Sequence, residues 1–374
     1  MLREAVRRFL TDHCQSQFVR RMMAHESAHD ADFWQKICDL GWPALLVPEE
    51  FGGQGGTFLD LAVVLEEAGR FLMPGPFLTS ATLGTVLMLE GARGERKRET
   101  LQKMASGKFI GTLALAEVAG RYDAEGIKMR TRVQGDKYVL SGDKFFVPDA
   151  HVANALAVVA RTADGPDPEK GLTVFWVDTN AEGVAVTQLK TVDQTRRVCH
   201  VRFDNVVVGK DSILGEEHHG WPLARRALEV ATAGICIELV GTAQRALDMA
   251  VEYAKTRVQF GRPIGSFQGV KHKCVDMMVA LENARSLAYY ACWAVDSRAP
   301  ETPRAVAMAK ATVSDMAQYV TSEAIQVHGG IGFTWEHDMH LFFRRAIAGG
   351  AAFGNPSFHR EAVARIFESR ASDR

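Results

Sequence analysis

The sequence predicts an α+β protein in three parts: an N-terminal helical domain over residues 1–108, a middle antiparallel β domain over 109–215 and a C-terminal helical bundle over 216–374. Three observations carry this. Apolar residues recur at helical spacing as far as about residue 108, the period changes to two from Ile110, and long helical periodicity resumes after Gly220.

In the first part, Asp32 to Leu40 and Leu59 to Phe71 read as helices around the turn-rich VPEEFGGQGGT. Phe77 to Leu89 is a further apolar helix, and the charged RGERKRET after it reads as a solvated loop and helix start. Six runs rich in Val, Thr and aromatics then read as strands: Ile110 to Leu115, Tyr138 to Leu140, Leu156 to Arg161, Leu172 to Asp178, Val184 to Leu189 and His200 to Val208. Asp164 to Lys170 is a loop across the surface. Pro222 suits a first helical turn, and the pattern holds from there to about Thr256. Helices over Gly269 to Asp296, Pro303 to Val327 with Thr302 as N-cap, His337 to Ala346 and Ser357 to Ser369 complete a bundle.

At 374 residues the chain is long enough for roughly two to three domains. A net charge of −1 with 24% charged residues gives no electrostatic footprint for nucleic acid or membrane, and no apolar run approaches the ~20 residues of a bilayer span. The opening MLREAVRRFL carries Glu4 and no following apolar h-region, so it reads as an amphipathic first helix, and the expected compartment is the cytoplasm. Cys14, Cys38, Cys199, Cys236, Cys274 and Cys292 form no C-x-x-C pair and are expected to be buried small apolar residues. His25 with His29, and His337 with His340, have spacings that place two imidazoles on one helix face, but neither pair has a third ligand nearby, so no metal site is expected. P-loop, nucleophile-elbow and G-x-G-x-x-G signatures are absent from the sequence.

Two stretches stand out as a flavin-binding edge. In RVQFGRPIGSFQ, Arg257 to Gln268, an arginine at a helix end precedes a Phe-Gly stop, a Pro-containing turn and a glutamine that opens the next helix. Such a turn offers a cation and unpaired backbone N–H groups to a pyrophosphate. In QVHGGIGF, Gln326 to Phe333, a Gly-Gly break lets backbone approach a ligand closely.

With the helix, β, helix order, these stretches, the early GWPALLVPEEFGGQGG, the β-domain GDKYVLSGDKFFV and the continuation TWEHDMHLFFRR resemble the acyl-CoA dehydrogenase family over nearly the whole chain. The resemblance implies a tetramer in which each FAD lies between the β domain of one subunit and the bundle of another. It implies a reaction in which a glutamate removes the α-proton of an acyl-CoA thioester while hydride passes from the β-carbon to the flavin. It also implies an electron-transfer flavoprotein as acceptor. By the same resemblance Arg257 is the pyrophosphate arginine, Phe260 and Gln268 are flanking FAD contacts, and Gln326, Gly329 and Gly330 make the contact of the next bundle helix.

The other half of the shared site departs from the family. Against the family's T-E-P-x-x-G-S-D run stands Ala116 to Asp123, AEVAGRYD, which keeps Glu117 and Asp123 but has Ala116, Val118, Arg121 and Tyr122 at the Thr, Pro, Gly and Ser positions. Against K-x-W-I-T/S stands Lys144 to Pro148, and Pro148 offers neither hydroxyl nor N–H. Phe353 occupies the usual place of the catalytic glutamate and Ala231 the alternative place on the first bundle helix, followed by Thr232 where an arginine is usual. Glu238 and Glu229 are the nearest carboxylates and read as helix-surface or interface residues. No catalytic residue is therefore assigned to this chain. The pattern resembles one branch of the family, the heterotetrameric (α2β2) enzymes of steroid and cholesterol side-chain degradation, and within it the non-catalytic partner. A self-sufficient divergent homotetrameric dehydrogenase, and a flavin-free scaffold or acyl-CoA-binding protein of the same fold, remain the alternatives.

Overall fold

The computed structural model describes residues 1–372, with side chains to residue 368. Six helices come first: α1 (Leu2–His13), α2 (Ser16–Ala24), α3 (Ala31–Asp39), α4 (Phe58–Arg70), α5 (Thr85–Gly91) and α6 (Gly94–Ala105). Eight strands follow: β1 (Gly111–Ala114), β2 (Thr131–Gln134), β3 (Lys137–Pro148), β4 (Ala155–Arg161), β5 (Leu172–Asp178), β6 (Val184–Gln188), β7 (Val198–Gly209) and β8 (Ile213–Leu214). The chain then returns to helix in α7 (Trp221–Thr256), crosses a hairpin of β9 (Val258–Gln259) and β10 (Arg262–Pro263), and ends in α8 (Gln268–Asp296), α9 (Thr302–His328), α10 (Met339–Ala351) and α11 (Pro356–Ser372). This is the α+β order expected. The described chain divides into two compact units: one of Met1–Arg21, Phe58–Met73 and Thr232–Arg374, the other of Met22–Thr57 and Pro74–Ala231.

The second unit holds two four-stranded sheets, ordered β1-β4-β5-β8 and β2-β3-β7-β6. One expectation needs correcting, because β1 and β4 pair in parallel, Gly111 opposite Ala155. Between them the chain crosses into the other sheet to lay down β2 and β3, and it returns beside β1 in the same direction. Strand β2 escaped the sequence because its residues are mostly exposed and show no apolar alternation. The charged RGERKRET lies almost wholly inside α6 rather than in a loop. The Phe77 to Leu89 helix contains a π turn over Thr79–Gly84, where a Cβ added to Gly84 would stand 2.5 Å from the Gly111 carbonyl of β1.

In the first unit the helices bury an apolar core with a few ionic pins. Glu66 and Glu67 of α4, 3% and 1% exposed, take Arg3 and Arg7 of α1, and Glu66 also takes Arg285 and the Tyr289 hydroxyl of α8. Asp296 at the end of α8 caps α4 by accepting from the Phe58 N–H at 2.7 Å. Thr302 is not the N-cap of α9: its hydroxyl donates back to the Ala294 and Ala299 carbonyls, and Glu301 stands at the cap. Helix α7 has the length and composition to cross a membrane, yet 89% of its most apolar window is buried within the protein, as in a core helix. Five cysteines are buried and Cys274 half-buried, all free.

Helices α4 and α7 cross in backbone contact through reciprocal glycines. A Cβ on Gly69 would lie 1.9 Å from the Glu238 carbonyl, and one on Gly241 would lie 1.8 Å from that of Glu66. Because backbone cannot yield as a side-chain tip can, Gly241→Ala is expected to cost about 3 kcal/mol by overpacking, read as a lower urea midpoint.

Candidate functional site

The turn after α7 is built tightly. The Arg257 N–H donates to the Tyr253 carbonyl at 2.8 Å, and the Ile264 N–H donates to the Arg257 carbonyl at 2.8 Å. Phe260 and Gly261, at φ 54° and 78°, form the two-residue loop of the β9–β10 hairpin, which needs positive φ at both positions. Glycine takes that geometry freely. Phe260 takes it at a cost of order 1 kcal/mol while standing 92% exposed, and such strain clusters where a surface meets a ligand or partner. The Arg262 guanidinium lies 4.1 Å from the centre of the Phe267 ring, bracing the hairpin. Helix α8 then opens at Gln268 with no side-chain cap on its first turn. Exposed Arg257 and this uncapped N-terminus together can receive a phosphate group.

The second segment lies at the end of α9. Gly329 turns the chain at φ 63° into a 3-10 turn, Gly329–Phe333, with Gln326, Gly329 and Gly330 exposed. A Cβ at Gly261, Gly269, Gly329 or Gly330 would meet no atom within 4 Å. These glycines leave the surface open to something outside the chain, and Phe333 and Trp335 beside them are 76% and 55% exposed.

The loop Ala116 to Asp123 in the β unit is ordered by the residues it shares with the family. The Glu117 carboxylate accepts from the Lys144 ammonium at 2.9 Å and from the Lys128 and Met129 N–H groups. Lys144 is fully buried and also donates to the Leu115 carbonyl. Burial lowers its pKa to about 8 against the pull of Glu117. Asp123 caps a short 3-10 turn by accepting from the Gly126 N–H. What the loop shows to the outside is different: Val118 is 84% exposed, and Arg121 is held by Asp123 and Glu125 at 2.6 and 2.7 Å. A shallow depression of about 370 Å³ lies between Glu117, Val118, Arg121, Glu125 and Lys128. On β3 a bulge between Lys144 and Val147 turns Phe146 to φ 55°, and its ring lies over Gly120. Ala116 is buried and carries no hydroxyl, and Pro148 has no N–H. Glu117→Ala would strand the Lys144 charge, with an expected cost of about 3–5 kcal/mol in denaturant unfolding.

Neither position at which the resemblance places a proton-abstracting carboxylate, 353 or 231, holds an acid. Phe353 is buried, with φ 56°, and its carbonyl accepts from the His359 Nε2–H at 3.0 Å. Gly354 follows at φ 105°, a conformation that suits glycine. Ala231 is fully buried. Glu238 is not the surface or interface carboxylate expected: it is fully buried and accepts from Arg345, itself 1% exposed, at 2.5 Å. Arg345 lies 107 residues away, so local spacing could not pair them. The lone Glu238 within an otherwise apolar stretch of α7 was the available signal. Glu229 is partly buried beside Arg225, and burial raises its pKa. No cluster of His, Cys, Asp and Glu fit for a metal ion occurs among the described residues.

Sequence profiles described as the N-terminal, middle and C-terminal domains of acyl-CoA dehydrogenase match residues 1–108, 112–206 and 218–367. The chain belongs to the acyl-CoA dehydrogenase family. It is 34% identical to acyl-CoA dehydrogenase IpdE2 of Mycolicibacterium smegmatis, covering 98% of this chain and 96% of that protein. Among solved structures it is similar to the ChsE4-ChsE5 complex of Mycobacterium tuberculosis, at 28% identity and a TM-score of 0.89, over 98% of this chain and 96% of that one. It is also similar to butyryl-CoA dehydrogenase of Megasphaera elsdenii, at 26% identity and a TM-score of 0.89, over 98% of both chains. Acyl-CoA dehydrogenases are FAD-dependent oxidoreductases. As the bundle half of such a site, the segments around Arg257 and Gly329 fit the cofactor: cation, uncapped helix start and open glycines are present. As the half that faces a flavin ring, the Ala116 to Asp123 loop and Pro148 do not, having lost the hydroxyls.

Proposed function

We propose that this chain is a subunit of a flavin-dependent acyl-CoA dehydrogenase that supplies the bundle half of an FAD site to a second, catalytic subunit. FAD, when bound, supplies the hydride acceptor for α,β-dehydrogenation of an acyl-CoA thioester. In this reading Arg257 and the start of α8 hold the pyrophosphate, Phe260 and Gln268 flank it, and Gln326, Gly329 and Gly330 let the bundle backbone lie against the cofactor. The partner subunit brings the glutamate and the acyl-CoA pocket, and electrons leave to an electron-transfer flavoprotein. The observation that carries the reading is Phe353, buried and followed by Gly354, at the place where the resemblance puts the glutamate. A base needs a carboxylate near the substrate, and between Asp338 and Glu361 the sequence has none. The likeness to the ChsE4-ChsE5 complex agrees with two unlike subunits, and a likeness to the Tcur3481-Tcur3483 steroid ACAD, at 28% identity and a TM-score of 0.87, agrees with a steroid-derived acyl-CoA as substrate class.

Phe353→Glu in this chain alone is expected to create no dehydrogenase activity, because the altered Ala116 to Asp123 loop would still face the flavin; acyl-CoA turnover by that variant at a rate typical of enzymes would overturn the division of roles. Glu229, with its raised pKa, favours one competing reading, a self-sufficient enzyme with an unconventional base. Loss of turnover in Glu229→Gln, with flavin content kept, would establish that reading instead.

A further inference from the structure

The two segments at the exposed bundle edge are joined by an aromatic cluster centred on buried His328, with Tyr253 and His337 half-buried against it. Tyr253 lies one helical turn before Arg257 and accepts its N–H, and His328 immediately precedes Gly329. Their rings stack with centroids 4.7 Å apart at 24°, and the His337 ring lies tilted at 54° with its centre 4.6 Å from that of His328. The turn folds back onto the same residue: a Cβ on Gly332 would be 3.1 Å from the Cβ of His328. His328 is 4% exposed and donates from Nδ1 to the Ala324 carbonyl at 2.7 Å, which fixes the tautomer and leaves Nε2 bare. His337 accepts at Nδ1 from the Met339 N–H at 3.2 Å, so protonation there would break a bond. His340 is 9% exposed, edge-on to Trp335, with neither ring nitrogen hydrogen-bonded.

The groups facing these imidazoles offer little to a positive charge. Arg20 of α2 reaches Asp338 and the His337 carbonyl, and Arg344 of α10 lies over Trp335. Asp338 is therefore already engaged, and Glu323 on α9 is taken by Lys273 of α8. Burial lowers the pKa of His328, His337 and His340 alike.

We propose that His328 is a positioning residue, which through its stack on Tyr253 and its ring contact with His337 holds the Arg257 and Gly329 segments at fixed spacing, and that acid releases both together. Its consequence for the cofactor rests on the function proposed above; its consequence for the chain alone does not. The sign follows from linkage: an imidazole kept neutral when closed takes up a proton when open, so opening is favoured as pH falls below the ordinary histidine value of about 6.5. One unit below that value each such imidazole favours the open form by at most about tenfold.

Hydrogen exchange of the isolated chain at about pH 7.5 and about pH 5.5, corrected for intrinsic rates, tests this. Protection of residues 257–268 and 326–333 is expected to fall together at the lower pH, by at most about tenfold per protonated imidazole, while strands β4 and β5 keep theirs. His328→Phe, which keeps a ring but cannot titrate, should flatten that response in both segments, and His337→Asn should flatten it in part if His328→Phe does not fold. Loosening of one segment without the other, or an unchanged response in the variants, would overturn the proposal. Flavin retention by the complex with the catalytic partner is then measured at both pH values. Joint loosening without flavin loss would leave the stack's role standing and count against the FAD reading.

Discussion

Replacement of Arg257 by alanine is expected to strip FAD from the complex of this chain with its catalytic partner while leaving the chain folded. Arg257 is exposed and stands at the end of α7, so its loss empties no core. A guanidinium bound to a phosphate makes charge-assisted hydrogen bonds, and losing these costs about 1.5–3 kcal/mol, or roughly ten- to a hundredfold in affinity. Arg257→Lys should recover part of the loss, since a point charge replaces a bidentate fork. The measurement is flavin absorbance of the complex after desalting, with thermal unfolding of the isolated variant as the control for folding. Full flavin retention in Arg257→Ala would remove this turn from the site.

Glu238→Ala should be the most destabilising of the carboxylate substitutions. It takes the carboxylate away from Arg345, which is 1% exposed, and a buried charge that loses its ionic partner costs about 3–5 kcal/mol. Glu238→Gln keeps an oxygen acceptor for the guanidinium and should cost less. The joint change Glu238→Leu with Arg345→Met should recover most of the loss, because an apolar pair of similar volume substitutes for a buried ion pair at little net cost. Urea unfolding of the three proteins gives the comparison. If Glu238→Ala abolished turnover of the complex without lowering stability, Glu238 would instead be acting on substrate.

Buried lysines make a further mark on the pH dependence of stability. Lys310 is fully buried, donating to the Gly349 and Gly350 carbonyls and to Ser314, and burial lowers its pKa from 10.5 to about 8. The folded chain then binds fewer protons than the unfolded chain between those two values, so this residue's contribution to stability rises with pH across that window. The total change is on the order of 3 kcal/mol. Subtracting the profile of Lys310→Met from that of the wild type should expose this slope, and a flat difference would show that folding does not lower the Lys310 pKa.

Much of this was legible in the sequence because it is local. Helical periodicity, the period-two runs and the glycine turns at Gly261 and Gly329 each depend on neighbours a few residues apart, and they gave the element order and both exposed segments. Phe353 was legible for the same reason, since a short motif fixes its position. What escaped depends on partners far along the chain. The parallel pairing of β1 with β4 follows from a crossover between sheets, and the burial of Glu238 follows from Arg345 on another helix. Glu117 and Lys144 were read as survivors of flavin motifs, but side by side they form a buried pair that orders their loop. This accounts for a loop that keeps its framework residues while its outward-facing positions have changed to Val118, Arg121 and Tyr122.

The division of labour between unlike subunits is tested most directly by flavin stoichiometry. The chain is purified alone and together with its catalytic partner, desalted, and read by flavin absorbance per chain. The account predicts a colourless lone chain and a yellow complex, with FAD only at sites that pair this bundle with the partner's β domain. One FAD per chain in the lone protein would contradict it.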